Sequence, residues 1–253
     1  MKPNLLEKGL TTQQLGRNSV FLHETESTNR YAGEMYRDGK LKEDTVIFAE
    51  TQTSGRGRLD RTWHSEGGLA MTAALLFDAP PESIGPVTLL AGVAVTIAIS
   101  NLTGKKFHVK YPNDILYEGK KLGGILSELK IGETSAVFLG IGINVGQSSF
   151  PSEITDIAIS LKQIGIETTR EEVSAEILNT LEPMLSTFKA EGFSKIRPIW
   201  IEENCTLGKE VTIKRPGGDI EGKAINIDDS GDLIIETADG VVKVNSGDFL
   251  QRG

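Results

Sequence analysis

The stretch SGRGRLDRTW (Ser54–Trp63) sets three arginines, Arg56, Arg58 and Arg61, beside two glycines, Gly55 and Gly57, and ends on Trp63. Glycines let backbone N–H groups come close to an anion, and guanidinium forks match phosphate or carboxylate. The tryptophan offers a flat face to a purine or a cation. Arginines paired with nearby acids on a solvated loop are the plain alternative. The net charge is -8, so the background field opposes such a cluster. The spacing is neither a GxxxxGK[ST] phosphate loop nor a GxGxxG turn at the head of a helix.

Four further groups could do chemistry. In KYPNDI, Pro112 must bend or end a strand and leaves Lys110, Asn113 and Asp114 together. Asp114 could help hold Mg²⁺ or orient a base, and Lys110 could meet a phosphate, although Pro-Asn-Asp also makes an ordinary turn. In KKLGGILSE, Gly123 and Gly124 mark a strand approached closely by a ligand or another backbone, with Lys121 at its entry. A lysine there could stabilise charge developing between two anions, or simply be solvated. In GIGINV, Asn144 is polar among apolar neighbours and must find partners, in a nearby loop or in a nucleotide. Ser27, Thr28 and Asn29 open a helical pattern, where Ser27 could be an N-cap or a ligand donor, and Gln52 ends a strand.

The elements that must position these groups follow from periodicity. Tyr31, Ala32, Met35 and Tyr36 recur at helical spacing before Gly39. Residues 45–50 and 69–77 read as strands on either side of the arginine loop, and Pro86 to Leu102 as a helix apolar nearly all round. Phe107 to Val145 reads as an antiparallel meander with turns at EGK and IGET. Thr169 and Glu172 form a capping box ahead of a face of Val173, Ile177, Leu181, Leu185 and Phe188. After Cys205 come four short strands, EVTIKRP, GKAINIDD, LIIETADG and VVKVN, with Gly/Asp turns, as in a small barrel or sandwich. The first twenty residues are patternless and read as a short arm. A boundary near Asn204 is expected, giving an α+β domain over 1–204 and an all-β domain over 205–253.

Composition narrows the class. The 253 residues are 38% hydrophobic and 25% charged, enough to bury a core in one or two globular units. The acidic balance argues against nucleic acid as a partner. The single cysteine, Cys205, leaves no disulfide within the chain, which suits a cytoplasmic protein. No signal peptide is visible, and the apolar run Leu89 to Ile99 is too short to span a bilayer.

Taken in order, STN, QTxxGRGRxxRxW, KxPND, KLGGILxE and GIGINV resemble the catalytic domain of the biotin protein ligases over about Phe21 to Asn204, with a small β-domain after it. The family more often has tryptophan where this chain has Tyr111. The resemblance implies a class II aminoacyl-tRNA synthetase/biotin ligase fold, a mixed and mainly antiparallel sheet with helices, followed by a small β-barrel. It implies a short form without the N-terminal DNA-binding domain of repressor-type members. It also implies activation of biotin by ATP and Mg²⁺ to biotinyl-5′-AMP, then transfer to a lysine of a biotin carboxyl carrier protein by a cytoplasmic homodimer.

By the same resemblance Ser27, Thr28, Asn29, Gln52, Gly55, Arg56, Gly57, Arg58, Lys121, Gly123 and Gly124 would hold biotin. Arg58, Arg61, Trp63, Lys110, Asn113, Asp114, Lys121 and Asn144 would hold ATP. Lys121, Arg56 and Arg58 would carry the catalytic charge. A lipoate or octanoate ligase, and a non-catalytic biotin-binding module, are the rival readings.

Overall fold

The computed structural model describes residues 1–251 except 79, 133, 216 and 246. It opens with α1 (Pro3–Gly9), β1 (Asn18–Thr25), α2 (Thr28–Arg37), β2 (Thr45–Gln52) and β3 (Leu69–Phe77). Then come α3 (Pro81–Ile84), α4 (Val87–Thr103), β4 (His108–Lys110), β5 (Asp114–Tyr117), β6 (Lys120–Lys130) and β7 (Ser135–Ile143). The chain finishes with α5 (Arg170–Glu191), α6 (Arg197–Glu203), β8 (Glu210–Lys214), β9 (Ile220–Ile227), β10 (Leu233–Thr237), β11 (Gly240–Val244) and β12 (Asp248–Gln251).

Seven strands form one sheet in the order β1-β2-β3-β7-β6-β5-β4. Only the β1–β2 pair is parallel, so the sheet is mixed and mainly antiparallel. Strand alternation sends Phe48, Met71, Ala73 and Leu139 into a core shared with α4 and α5. The other face sends Ile47, Ala74, Ala136 and Phe138 against Ala32 of α2. The sheet is therefore sandwiched between α2 and the α4–α5 layer. Helix α4 is buried on nearly every side, as its unbroken apolar run requires. The Thr169–Glu172 capping box opens α5.

Residues 206–251 fold into an antiparallel sheet in the order β11-β10-β9-β8-β12. Among the described residues no ladder joins β11 to β12. Its inward residues Val211, Ile213, Ala224, Leu233 and Phe249 belong to the same apolar cluster as α4 and α5.

The sequence reading does not give β1, α3 or α6, and it differs at both ends of the chain. Residues 3–9, expected as part of an arm, are helical, and Leu6, Leu10 and Leu15 are buried. Residues 248–251 form a fifth strand that pairs with β8 from Asp248↔Lys214 to Gln251↔Val211. In both cases the pattern is too short to read alone, and tertiary contact supplies the order.

Candidate active site

Cross-strand register builds the site. Ala49 of β2 faces Ala70 of β3, which faces Gly142 of β7, which faces Gly124 of β6, which faces Asp114 of β5. Directly opposed residues share a face, so four residues with at most a methyl group form one row that ends on a carboxylate. The face is the one that α2 covers farther along. Small side chains beyond the helix leave a groove floored by the sheet.

The N-terminus of α2 forms one wall. Ser27 precedes the helix and makes no side-chain cap bond. The cap comes from the neighbouring strand: Gln52 Oε1 accepts from Thr28 N at 2.8 Å and from Thr28 Oγ1 at 3.1 Å. The Gln52 backbone N–H is anchored by Ser65 Oγ at 3.0 Å. Thr72 Oγ1 links Thr28 Oγ1 and Asn29 Oδ1 at 2.8 and 2.7 Å. Beside this wall an open cavity of about 580 Å³ is lined by Ser27, Asn29, Ser54, Arg56 and Glu128, among others.

The arginine loop is an ordered hairpin. Trp63 N donates to Gly55 O at 2.9 Å, Gly57 N donates to Arg61 O at 2.7 Å, and Arg56 bridges Thr62 between them. A Cβ at position 55 would lie 2.5 Å from Trp63 O, so only glycine allows this closure. The turn puts Leu59 at φ 56 with 57% of its surface exposed. Arg56 is exposed. Trp63 lies on the groove floor: a Cβ at Gly142 would sit 2.5 Å from its ring. The indole Nε1 is buried without a hydrogen-bond partner among the described residues.

The far end of the row carries charge. Lys121 Nζ stands 2.5 Å from Asp114 Oδ1 and about as close to Gly124 as a methyl group would permit, 3.4 Å from its added Cβ. Lys110 faces Asp114 across the β4–β5 ladder. The Lys121 backbone is clamped by the segment after β7: Lys121 N donates to Ile157 O at 2.7 Å, and Ile159 N donates to Lys121 O at 3.0 Å. Gly123 fits under Ile143, whose Cδ1 would lie 2.5 Å from an added Cβ.

The three candidate asparagines each bond within the protein, partly to backbone. Asn29 Nδ2 donates to Leu126 O and Glu128 Oε1, both at 3.1 Å. Asn113 Nδ2 donates to Ile125 O at 2.8 Å. Asn144 Nδ2 donates to Ile159 O at 3.0 Å and to Lys121 O at 3.4 Å, and Asn144 Oδ1 accepts from Gln147 at 3.2 Å. Each braces a strand that floors or ends the groove.

Arg58 and Arg61 reach the second sheet. Arg58 Nη2 donates to Gly247 O at 3.1 Å, and Arg61 pairs with Asp248. Burial, helped by the neighbouring charge of Arg61, holds Arg58 below the ordinary arginine range, opposed by the carboxylates of Asp114 and Asp248. Tyr111 bolts the two sheets together, its hydroxyl donating toward Gly231 O at 3.0 Å and Val244 O at 3.2 Å. Burial pushes that phenol far above its usual value, so it stays a neutral donor.

Thr72, Ser65, Asp248 and Phe249 were not singled out from sequence, and Gly142 entered only as part of GIGINV. The small residues at alternate positions of β3 and β7 were the visible signal for Gly142. Nothing in the sequence pointed to the two residues of β12.

Among the described residues no cluster of three or more His, Cys, Asp or Glu could cage a metal. Asp114 alone, beside Lys121, fits a magnesium ion carried by a phosphate ligand and touched by one carboxylate. Among the described residues no helix is long and apolar enough to cross a membrane.

Known proteins share this arrangement. Residues 21–144 match the biotin/lipoate A/B protein ligase family, and residues 206–251 match the biotin protein ligase C-terminal domain. The bifunctional ligase/repressor BirA of Bacillus spizizenii is 38% identical over 95% of this chain and 76% of its own length. The biotin–[acetyl-CoA-carboxylase] ligase of Mycobacterium tuberculosis is 30% identical over 99% of this chain and 97% of its own. The structure of the Aquifex aeolicus biotin protein ligase in complex with biotin and ATP superposes with a TM-score of 0.80, at 32% identity, over 93% of this chain and 99% of that one. On these matches in sequence and fold, this chain belongs to the biotin protein ligase family.

Proposed function

We propose that this protein activates biotin with ATP and passes it to a lysine of a biotin carboxyl carrier domain. The observation that carries the reading is the single groove that joins a helix N-terminus, an Ala/Gly floor and the Lys121–Asp114 pair. A fused apolar bicycle with a polar head and an anionic tail fits those three parts in that order.

The head would lie against Ser27, Thr28, Asn29 and Gln52, whose hydroxyls and amides suit a ureido group. Gly124, on the groove face, would leave room for the rings, while Gly55, Gly57 and Gly123 would serve behind it by letting the loop hairpin and the strand pack closely. The tail carboxylate would then reach Lys121. In the first step a carboxylate oxygen attacks the α-phosphorus of ATP; the O–Pα bond forms, the bond to the β-phosphate breaks, and pyrophosphate leaves with the electron pair. Lys121 lies where the two anions meet, and Arg56 and Arg58 offset the charge that builds there. Arg61, Lys110, Asn113 and Asp114 attend the phosphates, and Trp63 gives the purine a face. Mg²⁺ would share the triphosphate charge. Asn144 acts here through Lys121, by holding its carbonyl.

In the second step the carrier lysine, as a free amine, attacks the acyl carbon. A C–N bond forms, the acyl–oxygen bond breaks, AMP leaves and the amine gives up a proton. A closed loop keeps water from the anhydride in the interval. The protein works in the cytoplasm, and two copies pair through a sheet edge such as β1.

Intact-mass spectrometry tests the reading. A carboxylase biotinyl domain is incubated with this protein, Mg·ATP and equal biotin and lipoate. One biotin added to the domain, and none without ATP, is the expected result. A lipoyl adduct, or neither adduct nor adenylate, would overturn it.

A further inference from the structure

Three successive residues of the second domain engage the arginine loop. Gly247 O accepts from Arg58, Asp248 pairs with Arg61, and the Phe249 ring lies 5.7 Å from the Arg58 guanidinium carbon. Phe249 in turn meets Tyr111 edge-on at 4.8 Å, and Tyr111 leads directly into the turn that carries Asp114. A continuous path of contacts thus runs from the loop, through β12, to the charged end of the groove. The ladder to β8 fixes β12 at its base.

We infer that Asp248 and Phe249 are positioning residues for adenylate formation: they seat the arginine loop and hold Arg58 against the Phe249–Tyr111 path that leads to the Lys121–Asp114 end of the groove. The physical need is clear from the loop itself. It has two glycines, a leucine at positive φ and arginines with many rotamers. Left free, it would have to be ordered at the expense of ligand binding. Docked, its cations are already in place when charge develops.

The two contacts differ in strength. Arg61 is 61% exposed in its pair with Asp248, so that contact is weak and screened. Phe249 is 9% exposed and holds both a cation and an aromatic edge, so it is the stronger member.

This inference rests on the proposed biotin activation, and two independent readouts separate them. The first is the rate of tryptic cleavage at the loop arginines in the ligand-free protein. The second is the set of KM for ATP, kcat for pyrophosphate release and escape of biotinyl-AMP to solution. Asp248→Asn should raise cleavage, KM and escape by about threefold with kcat little changed, as expected of an exposed pair. Asp248→Glu should return all three toward wild type. Phe249→Leu should raise them by about tenfold, since it loses the cation and aromatic contacts together. Wild-type cleavage and escape in both variants would overturn the seat. So would lowered melting temperature with unchanged KM, kcat and escape, which marks a merely structural role. Should Phe249→Leu fail to fold, the surface variant Asp248→Asn decides. Should the wild-type protein make no adenylate, the functional reading falls and cleavage rates alone decide the seat.

Discussion

Lys121 Nζ and Asp114 Oδ1 lie 2.5 Å apart over the backbone of Gly124, on adjacent strands of the groove floor. The lysine is 36% exposed and the aspartate 25%, so substrate anions can reach both. An internal carboxylate holds the ammonium group where the proposed reaction would bring two substrate anions together. Exchange of that partner for the substrates then needs little motion of the lysine.

Lys121→Ala removes the cation at that point and leaves the floor intact. Formation of biotinyl-AMP is expected to fall by more than about 100-fold, the scale of deleting one preorganised charge-stabilising donor. The fold should survive, because the Lys121 backbone is held by Ile157 and Ile159 and not by its side chain. Pyrophosphate release near the wild-type rate, in a protein with an unchanged circular dichroism spectrum, would refute the role.

Arg58→Gly acts on the loop instead. Arg58 is bound to Gly247 O and stacked near Phe249, and the variant loses both contacts and gains backbone freedom. The adenylate should still form but leave the site more readily, by about tenfold or more. Free biotinyl-AMP can be counted by chromatography after a single turnover; retention equal to wild type would argue that the loop closes without Arg58.

Gly142→Ala tests the groove floor. The added methyl carbon would stand 2.5 Å from the Trp63 ring, so the indole must move. The cost of such overpacking is about 1–3 kcal/mol, taken partly as lost stability and partly as weaker nucleotide binding. The chain has two tryptophans, and Trp200 is fully buried elsewhere in the core. A shift in the emission maximum therefore reports on Trp63. An unshifted spectrum with wild-type affinity for ATP would mean that the ring does not rest on Gly142 in solution.

Much of this was legible in residues close together in the chain. The loop, the PND turn and the GG strand each announced themselves by local chemistry, and α2, α4, α5 and the meander by periodicity. The groove was not, because it is a property of register. Ala49, Ala70, Gly142 and Gly124 come from four strands, and alternation says which face each takes but not which row they share. Asn29, Asn113 and Asn144 show a second limit. Sequence marks a buried amide as needing partners, and here those partners include the carbonyls of Leu126 and Ile125 on β6 and of Ile159 in the segment after β7. Helix α1 and strand β12 are short, and each is ordered by a surface distant in sequence.

The last prediction concerns acid stability and the approach to the groove. Glu182 of α5 accepts three backbone N–H groups, from Gln13 at 2.7 Å and from Gln14 and Leu15 at 2.8 Å each. These tie down the chain that enters β1, which lies in parallel register with β2 up to Thr25↔Gln52. Burial alone would raise the Glu182 pKa. The N–H groups of Leu15, Gln13 and Gln14 and the charge of Arg17 outweigh it, and the carboxyl sits below its usual value. A carboxyl depressed in the folded state binds its proton more readily when unfolded. Its contribution is therefore complete above the unfolded value, about 4.3 for glutamate, and is lost as pH falls through the lower folded value. Glu182→Gln keeps one acceptor oxygen and loses the charge, so it should cost about 1–2 kcal/mol at neutral pH. The deficit should shrink as the solution is acidified below about pH 4.3, where the wild-type carboxyl protonates in turn. Urea unfolding of both proteins at neutral pH and in acid checks this; a deficit of the same size at both would show that the ionised carboxylate is not what holds the segment.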